Sequence, residues 1–139
     1  IRKIESREAT VGVIGLGYVG LPLVLLFWES GFRVIGFDVD GAKTAALARG
    51  ESYIRHIGPE RVATAFGSGR AEATTEYDRL AECDAILICV PTPLNETKEP
   101  DVSFMEDAAR SSAPYLHPDM LATLESTSYP GIPATCRAA

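Results

Sequence analysis

Val11-Gly12-Val13-Ile14-Gly15-Leu16-Gly17-Tyr18-Val19-Gly20 decides the fold. A short apolar run meets a glycine turn, and the apolar stretch behind it, from about Tyr18 to Trp28, reads as a helix. A second run, Val34-Ile35-Gly36-Phe37, ends in Asp38 about twenty residues on. Strand, glycine turn, helix, strand and acid in that order form the fingerprint of a dinucleotide site. Gly15 lets the chain turn off the strand, Gly17 lets a pyrophosphate approach the backbone, and Gly20 lets the helix lie against the sheet. The helix start offers unpaired N–H groups to the phosphates. The competing reading is a glycine-rich turn of some other α/β domain, and the flanking strand, helix and acid argue against it.

Outward from this stretch, strands and helices alternate. Arg33 to Phe37 reads as the second strand, with Arg33 as a water-facing charge at its start. A helix is expected from about Ala42 to Arg49, stopped by Gly50. Glu51 to Gly58 reads as a polar loop carrying Tyr53, Arg55 and His56. Pro59 opens a helix through Phe66, and Ala71 to Thr75 reads as a short strand. Glu76 to Ala81 reads as one or two helical turns. Ala85 to Val90 is a continuous apolar run expected to be buried on both faces. Pro91 to Asn95 must be a loop, Glu96 to Val102 a mobile charged one, Ser103 the cap of a helix through about Ser112, and Leu121 to Glu125 a last strand. This alternation gives an α/β, doubly wound, mostly parallel sheet with right-handed crossovers.

The chain has 139 residues, 46% of them apolar and 23% charged, enough for one domain with a core. A net charge of −6 with no basic cluster excludes a nucleic-acid surface. No apolar stretch approaches the ~20 residues of a membrane span, so no membrane partner is expected. The mixed charge of residues 1–9 is unlike a secretory signal and reads as a tail. Cys83, Cys89 and Cys136 are odd in number and lack C-x-x-C spacing. That argues against a disulfide framework or a metal site and points to a reducing cytoplasm. Cys89, closing an apolar run, reads as a small hydrophobe rather than a nucleophile.

A ligand of such a sheet lies beyond the carboxyl ends of the strands. Asp38 there would accept from the adenosine ribose hydroxyls and repel a 2′-phosphate, favouring NAD over NADP. Asp38-Val39-Asp40-Gly41 is equally good turn chemistry, and the two roles are compatible. Lys43 would touch the same ribose or stand as a solvated charge. Thr92 would bond the cofactor, or Pro91-Thr92-Pro93 would be only a rigid turn.

With these pieces in place, residues 11–131 resemble the amino-terminal part of the nucleotide-sugar 6-dehydrogenases, the UDP-glucose/GDP-mannose dehydrogenase family. The resemblance rests on Val13 to Pro22, Gly36 to Asp40, Cys89-Val90-Pro91-Thr92-Pro93-Leu94 and Leu124-Glu125-Ser126-Thr127-Ser128-Tyr129-Pro130-Gly131. Tyr53-Ile54-Arg55-His56-Ile57 with Thr92 to Asn95 and Glu99 to Asp101 look most like the UDP-N-acetylglucosamine branch, although Tyr53 to Ile57 also reads as a plain surface loop. The resemblance implies a Rossmann-like NAD-binding domain over 10–131, truncated after about five strands, between the tail 1–9 and an atypical tail 132–139. It implies oxidation of a UDP-sugar C6 alcohol to a carboxylate with two NAD, through a cysteine-bound thiohemiacetal and thioester. UDP-N-acetylglucosamine is the first expectation, UDP-glucose or UDP-N-acetylmannosamine the others.

Carried over by motif, the cofactor contacts fall on Gly15, Leu16, Gly17, Tyr18, Val19, Gly20, Asp38, Lys43, Val90, Pro91, Thr92, Ser126 and Thr127. Thr127 matches a catalytic threonine that orders water near the reacting carbon, although Ser126-Thr127 also suits strand-end capping. The family follows its Pro-Gly with Thr-Thr and an acidic helix start, whereas this chain reads Gly131-Ile132-Pro133-Ala134-Thr135-Cys136. None of its cysteines matches the family's nucleophile. A truncation or shifted reading frame is therefore expected, with no turnover by these residues alone and self-association through an uncovered sheet edge. Another Rossmann oxidoreductase and a non-catalytic NAD(H)-binding module are the rival readings.

Overall fold

A computed structural model describes residues 2–91, 93–99 and 101–125. Thr92, Ser126, Thr127 and the tail 132–139 lie outside the described residues.

The elements run α1 (Arg2–Glu5), β1 (Thr10–Ile14), α2 (Gly20–Glu29), β2 (Arg33–Phe37), α3 (Gly41–Ala48), α4 (Pro59–Gly67), β3 (Ala71–Thr74), a 3-10 helix (Tyr77–Glu82), β4 (Ala85–Ile88), α5 (Ser103–Ser112), a short 3-10 turn (Ala113–Tyr115) and β5 (Leu121–Leu124). The five strands lie in the order β3-β2-β1-β4-β5, and every pairing is parallel. The chain steps outward from β1 to β3, then returns to the other side of β1, so strand order reverses between β1 and β4.

Side-chain alternation sorts the core into two layers. Val11, Val13 and Val34 point to one face, with Leu21, Val24 and Leu25 of α2, Leu47 of α3 and Val62 of α4. Ile14, Ile35, Phe37 and Ile86 point to the other, with Leu80, Cys83 and Ala108. Both faces of β1 and β2 are covered, which explains why their sequences are apolar throughout.

Two expectations are corrected. Residues 1–9 are more than a tail: Arg2–Glu5 form a helical turn, and the Lys3 ammonium pairs with Asp84 at 3.0 Å. β4 is not buried on both faces along its length, because Leu87 and Ile88 are only half-buried. Leu87 lines an apolar groove of about 230 Å3 that runs beside Phe27, Phe32 and Leu121 at the β5 edge. At the start of the 96–102 loop, the Asn95 amide oxygen accepts from the Thr97 and Glu99 N–H groups at 3.0 and 2.9 Å. That is an Asx turn, built from a side chain that mimics a backbone carbonyl.

Arg33 is not simply solvated. Its guanidinium meets Glu72 at 3.1 Å and Glu82 at 3.5 Å at the amino ends of the strands, opposite the site described next. Among the described residues no helix is long and apolar enough to cross a membrane, and no group of His, Cys, Asp and Glu could hold a metal ion.

Candidate functional site

The parallel register aligns Ile14 with Phe37 on one side and Ile88 on the other, and Ile88 with Leu124. The first residue past each of these strands therefore emerges at one level: Gly15, Asp38, Cys89 and Glu125. All four line one crevice of about 400 Å3, together with Leu16, Gly17, Tyr18, Val19, Lys43, Val90 and Pro91. This is the carboxyl end of the sheet at the reversal of strand order, where ligands of such sheets sit. Cys89 and Glu125 escaped the sequence reading. The signal that finds them is their position one past the end of a strand, which becomes readable only once the register is known.

The glycine turn has the geometry its spacing predicts. Gly15 adopts φ +95°, and a Cβ there would stand 2.6 Å from the Cys89 carbonyl oxygen. Gly20 does not line the crevice, but its missing Cβ leaves room for the Gly15 carbonyl, so α2 starts hard against the end of β1. Gly17 differs from both, because a Cβ there would meet no protein atom within 4 Å. The space in front of Gly17 belongs to whatever occupies the crevice. Beside it, Pro22 has no N–H and Leu21 and Leu23 donate to the Gly17 and Val19 carbonyls, so what α2 turns towards the turn is the positive end of its dipole. These residues fit a dinucleotide diphosphate.

Asp38 takes the turn role the sequence allowed and leaves room for the ribose one. One carboxylate oxygen accepts from the Leu16 N–H at 2.9 Å, tying the glycine turn to the end of β2. The other accepts from the Asp40 N–H at 2.9 Å and shapes the turn into α3, whose own cap is Asp40 accepting from Ala42. Each oxygen keeps a further lone pair, so ribose hydroxyls still have acceptors. Lys43 faces the crevice from α3, and its ammonium lies over the Tyr53 ring, 5.9 Å from the centroid.

The loop carrying Tyr53 is packed rather than merely superficial. Ile54 and Ile57 are buried in the core, and the Ser52 hydroxyl bonds the carbonyls of Ile54 and Ile57. The Tyr53 phenol donates to the Leu16 carbonyl, and the His56 ring stacks on Tyr18 with centroids 6.3 Å apart. Nothing in the sequence spacing announced either contact.

The described thiols are unsuited to nucleophilic work. Burial, then the Glu82 carboxylate, pushes Cys83 up to about 12; burial, then Glu125, pushes Cys89 up to about 11. At neutral pH the Cys89 thiolate is then on the order of one part in ten thousand. With Cys136 changed to Ser, a thiol-exchange dye should label the folded chain at least about 100-fold more slowly than a free thiol. Rapid labelling of Cys89 would overturn its structural assignment.

The family model described as the UDP-glucose/GDP-mannose dehydrogenase family, NAD binding domain, matches residues 9–138. The chain belongs to this family. Its Rossmann-like sheet and its NAD cofactor are those of a nucleotide-sugar dehydrogenase's NAD-binding domain. The UDP-N-acetyl-D-mannosamine dehydrogenase of Escherichia coli K12 is 43% identical over 123 residues, covering 86% of this chain and 28% of that protein. The NDP-N-acetyl-D-galactosaminuronic acid dehydrogenase of Ralstonia nicotianae is 38% identical over 130 residues, 91% of this chain and 30% of that protein. The solved UDP-glucose dehydrogenase of Pyrobaculum islandicum superposes with a TM-score of 0.84 at 31% identity, covering 94% of this chain and 32% of that one. The chain thus spans less than a third of the length of these relatives.

Proposed function

We propose that these residues are the cofactor-binding part of an oxidoreductase that takes the C6 hydroxyl of a UDP-N-acetylhexosamine to a carboxylate with two NAD. The observation that carries this reading is the crevice at the reversal of strand order, where Gly17 faces open space and Asp38 braces the turn. Bound NAD supplies the hydride acceptor. The chain's own residues bind and orient it: the turn amides take the diphosphate, Asp38 and Lys43 the adenosine ribose, and Val90 and Pro91 the wall towards the reacting end. Thr92, Ser126 and Thr127 complete that end in this proposal.

The N-acetylhexosamine class is supported by the names of the Escherichia coli and Ralstonia relatives, and UDP-N-acetylglucosamine stands beside UDP-N-acetylmannosamine as the sugar to test. The buried thiols support the further proposal that these 139 residues bind NAD without oxidising sugar. Absorbance at the NADH band, with purified chain, NAD and each UDP-sugar, should stay flat while calorimetry registers NAD binding. A longer protein that carries these residues should yield NADH with a UDP-N-acetylhexosamine in preference to UDP-glucose. NADH from the short chain, or a longer protein that prefers UDP-glucose, would refute the corresponding part. Self-association through the β5 edge belongs to the same proposal, and light scattering that rises with concentration would support it.

A further inference from the structure

Leu16 is held from three directions at the centre of the glycine turn. Its side chain is fully buried, its N–H is bound by Asp38, and its carbonyl is bound by the Tyr53 phenol. The Tyr53 contact crosses 37 residues of sequence. The loop that delivers it is anchored by buried Ile54 and Ile57 and by the Ser52 hydroxyl. Lys43 packs over the same ring and also lines the crevice, whereas Tyr53 itself stands outside the crevice lining.

A trans peptide points its C=O and the next residue's N–H in opposite directions. The described backbone has no cis peptides, so a Leu16 carbonyl fixed towards Tyr53 sends the Gly17 N–H the other way. Gly17 lines the crevice and has open space where its side chain would be.

We infer that Tyr53 is a positioning residue for cofactor binding: by holding the Leu16 carbonyl behind the turn, it aims the Gly17 N–H at the dinucleotide's diphosphate. The phenol acts through the peptide and touches no cofactor atom. Without it, the Leu16–Gly17 peptide is free to rotate, and the amide must be ordered at the moment of binding. Burial, and then the Asp38 and Asp40 carboxylates, hold the phenol's pKa above its ordinary value, so it remains a donor across the neutral range. This inference rests on the reading that the crevice holds the NAD diphosphate.

The test compares the wild-type chain with Tyr53→Phe, which keeps the ring and removes only the hydroxyl. Both are titrated with NAD, ADP and adenosine and followed by amide NMR. Tyr53→Phe should bind NAD and ADP about five- to tenfold more weakly, the scale of one net hydrogen bond, and adenosine within about twofold of wild type. In the wild type, ADP but not adenosine should move the Gly17 amide proton downfield. This second readout keeps the inference open to refutation if Tyr53→Phe fails to fold. Unchanged ADP affinity in Tyr53→Phe, equal weakening of ADP and adenosine, or a Gly17 proton indifferent to ADP would each overturn the inference while leaving NAD binding intact. A wild-type chain that binds neither ADP nor NAD would remove the cofactor reading itself, and this inference with it.

Discussion

Gly20→Ala should unfold or severely destabilise the domain, while Gly17→Ala should leave the fold intact and remove the cofactor. At Gly20 an added Cβ overlaps the Gly15 carbonyl oxygen, a backbone atom that no rotamer change can clear. Either α2 lifts from the sheet or the glycine turn is rebuilt. Both separate Leu21, Val24 and Leu25 from their places against β1 and β2. Overpacking that displaces backbone, with loss of core contacts, is expected to cost roughly 3 kcal/mol or more. At Gly17 the added methyl meets no protein atom within 4 Å, and the backbone does not need the left-handed region. Apo stability should therefore change by less than about 0.5 kcal/mol, as at an unremarkable surface position. The methyl instead occupies the space a diphosphate must enter, so NAD affinity should fall on the order of 100-fold, close to 3 kcal/mol. Thermal melts and calorimetric titration of the two variants check both halves. A Gly17→Ala chain that binds NAD normally would contradict the placement of the diphosphate.

Asp38→Asn should weaken the fold and relax the choice between NAD and NADP. The two carboxylate oxygens accept from Leu16 and Asp40. A carboxamide offers one oxygen and one NH2, so one of these N–H groups is left facing a donor. A buried donor without a partner costs about 1–3 kcal/mol. Removing the charge also removes its repulsion of a 2′-phosphate. Like charges ~5 Å apart at an effective dielectric near 20 repel by about 3 kcal/mol, a factor on the order of 100. NAD should therefore bind about tenfold more weakly, while the preference for NAD over NADP narrows by up to about 100-fold. Titrating wild type and variant with both dinucleotides in low salt measures the ratio. A preference that survives the substitution would take discrimination away from Asp38, because Lys43, the cation that also lines the crevice, would favour a 2′-phosphate.

Local chemistry made much of this legible. The β1 and β2 runs are apolar because both faces are covered, and Gly15, Gly17 and Gly20 each answer a separate steric demand. Arg33–Phe37 lies where pattern placed it, and α5 ends at Ser112 as expected, although Ser103 is its first residue rather than its cap. What escaped depends on distant parts of the chain. Residues 2–5 carry no apolar stripe, and the contact from Lys3 to Asp84 spans 81 positions. Leu87 and Ile88 look like any buried strand, and their half-exposure arises from what lies beside β4. Cys89 and Glu125 enter the crevice through the register of β4 with β1 and β5. Tyr53 sits in a stretch whose polarity reads as loop, and its value comes from the carbonyl it meets on the far side of the turn.

The claim that joins these results is that a dinucleotide rests its diphosphate on the main chain where β1 passes into α2. A crystal structure of this chain with NAD bound tests it most directly. The diphosphate oxygens should lie about 3 Å from the N–H groups of residues 17–19, with the adenosine ribose hydroxyls on Asp38. A diphosphate bound elsewhere, or a crevice closed by Tyr18 with Asp38 turned from the ribose, would contradict it.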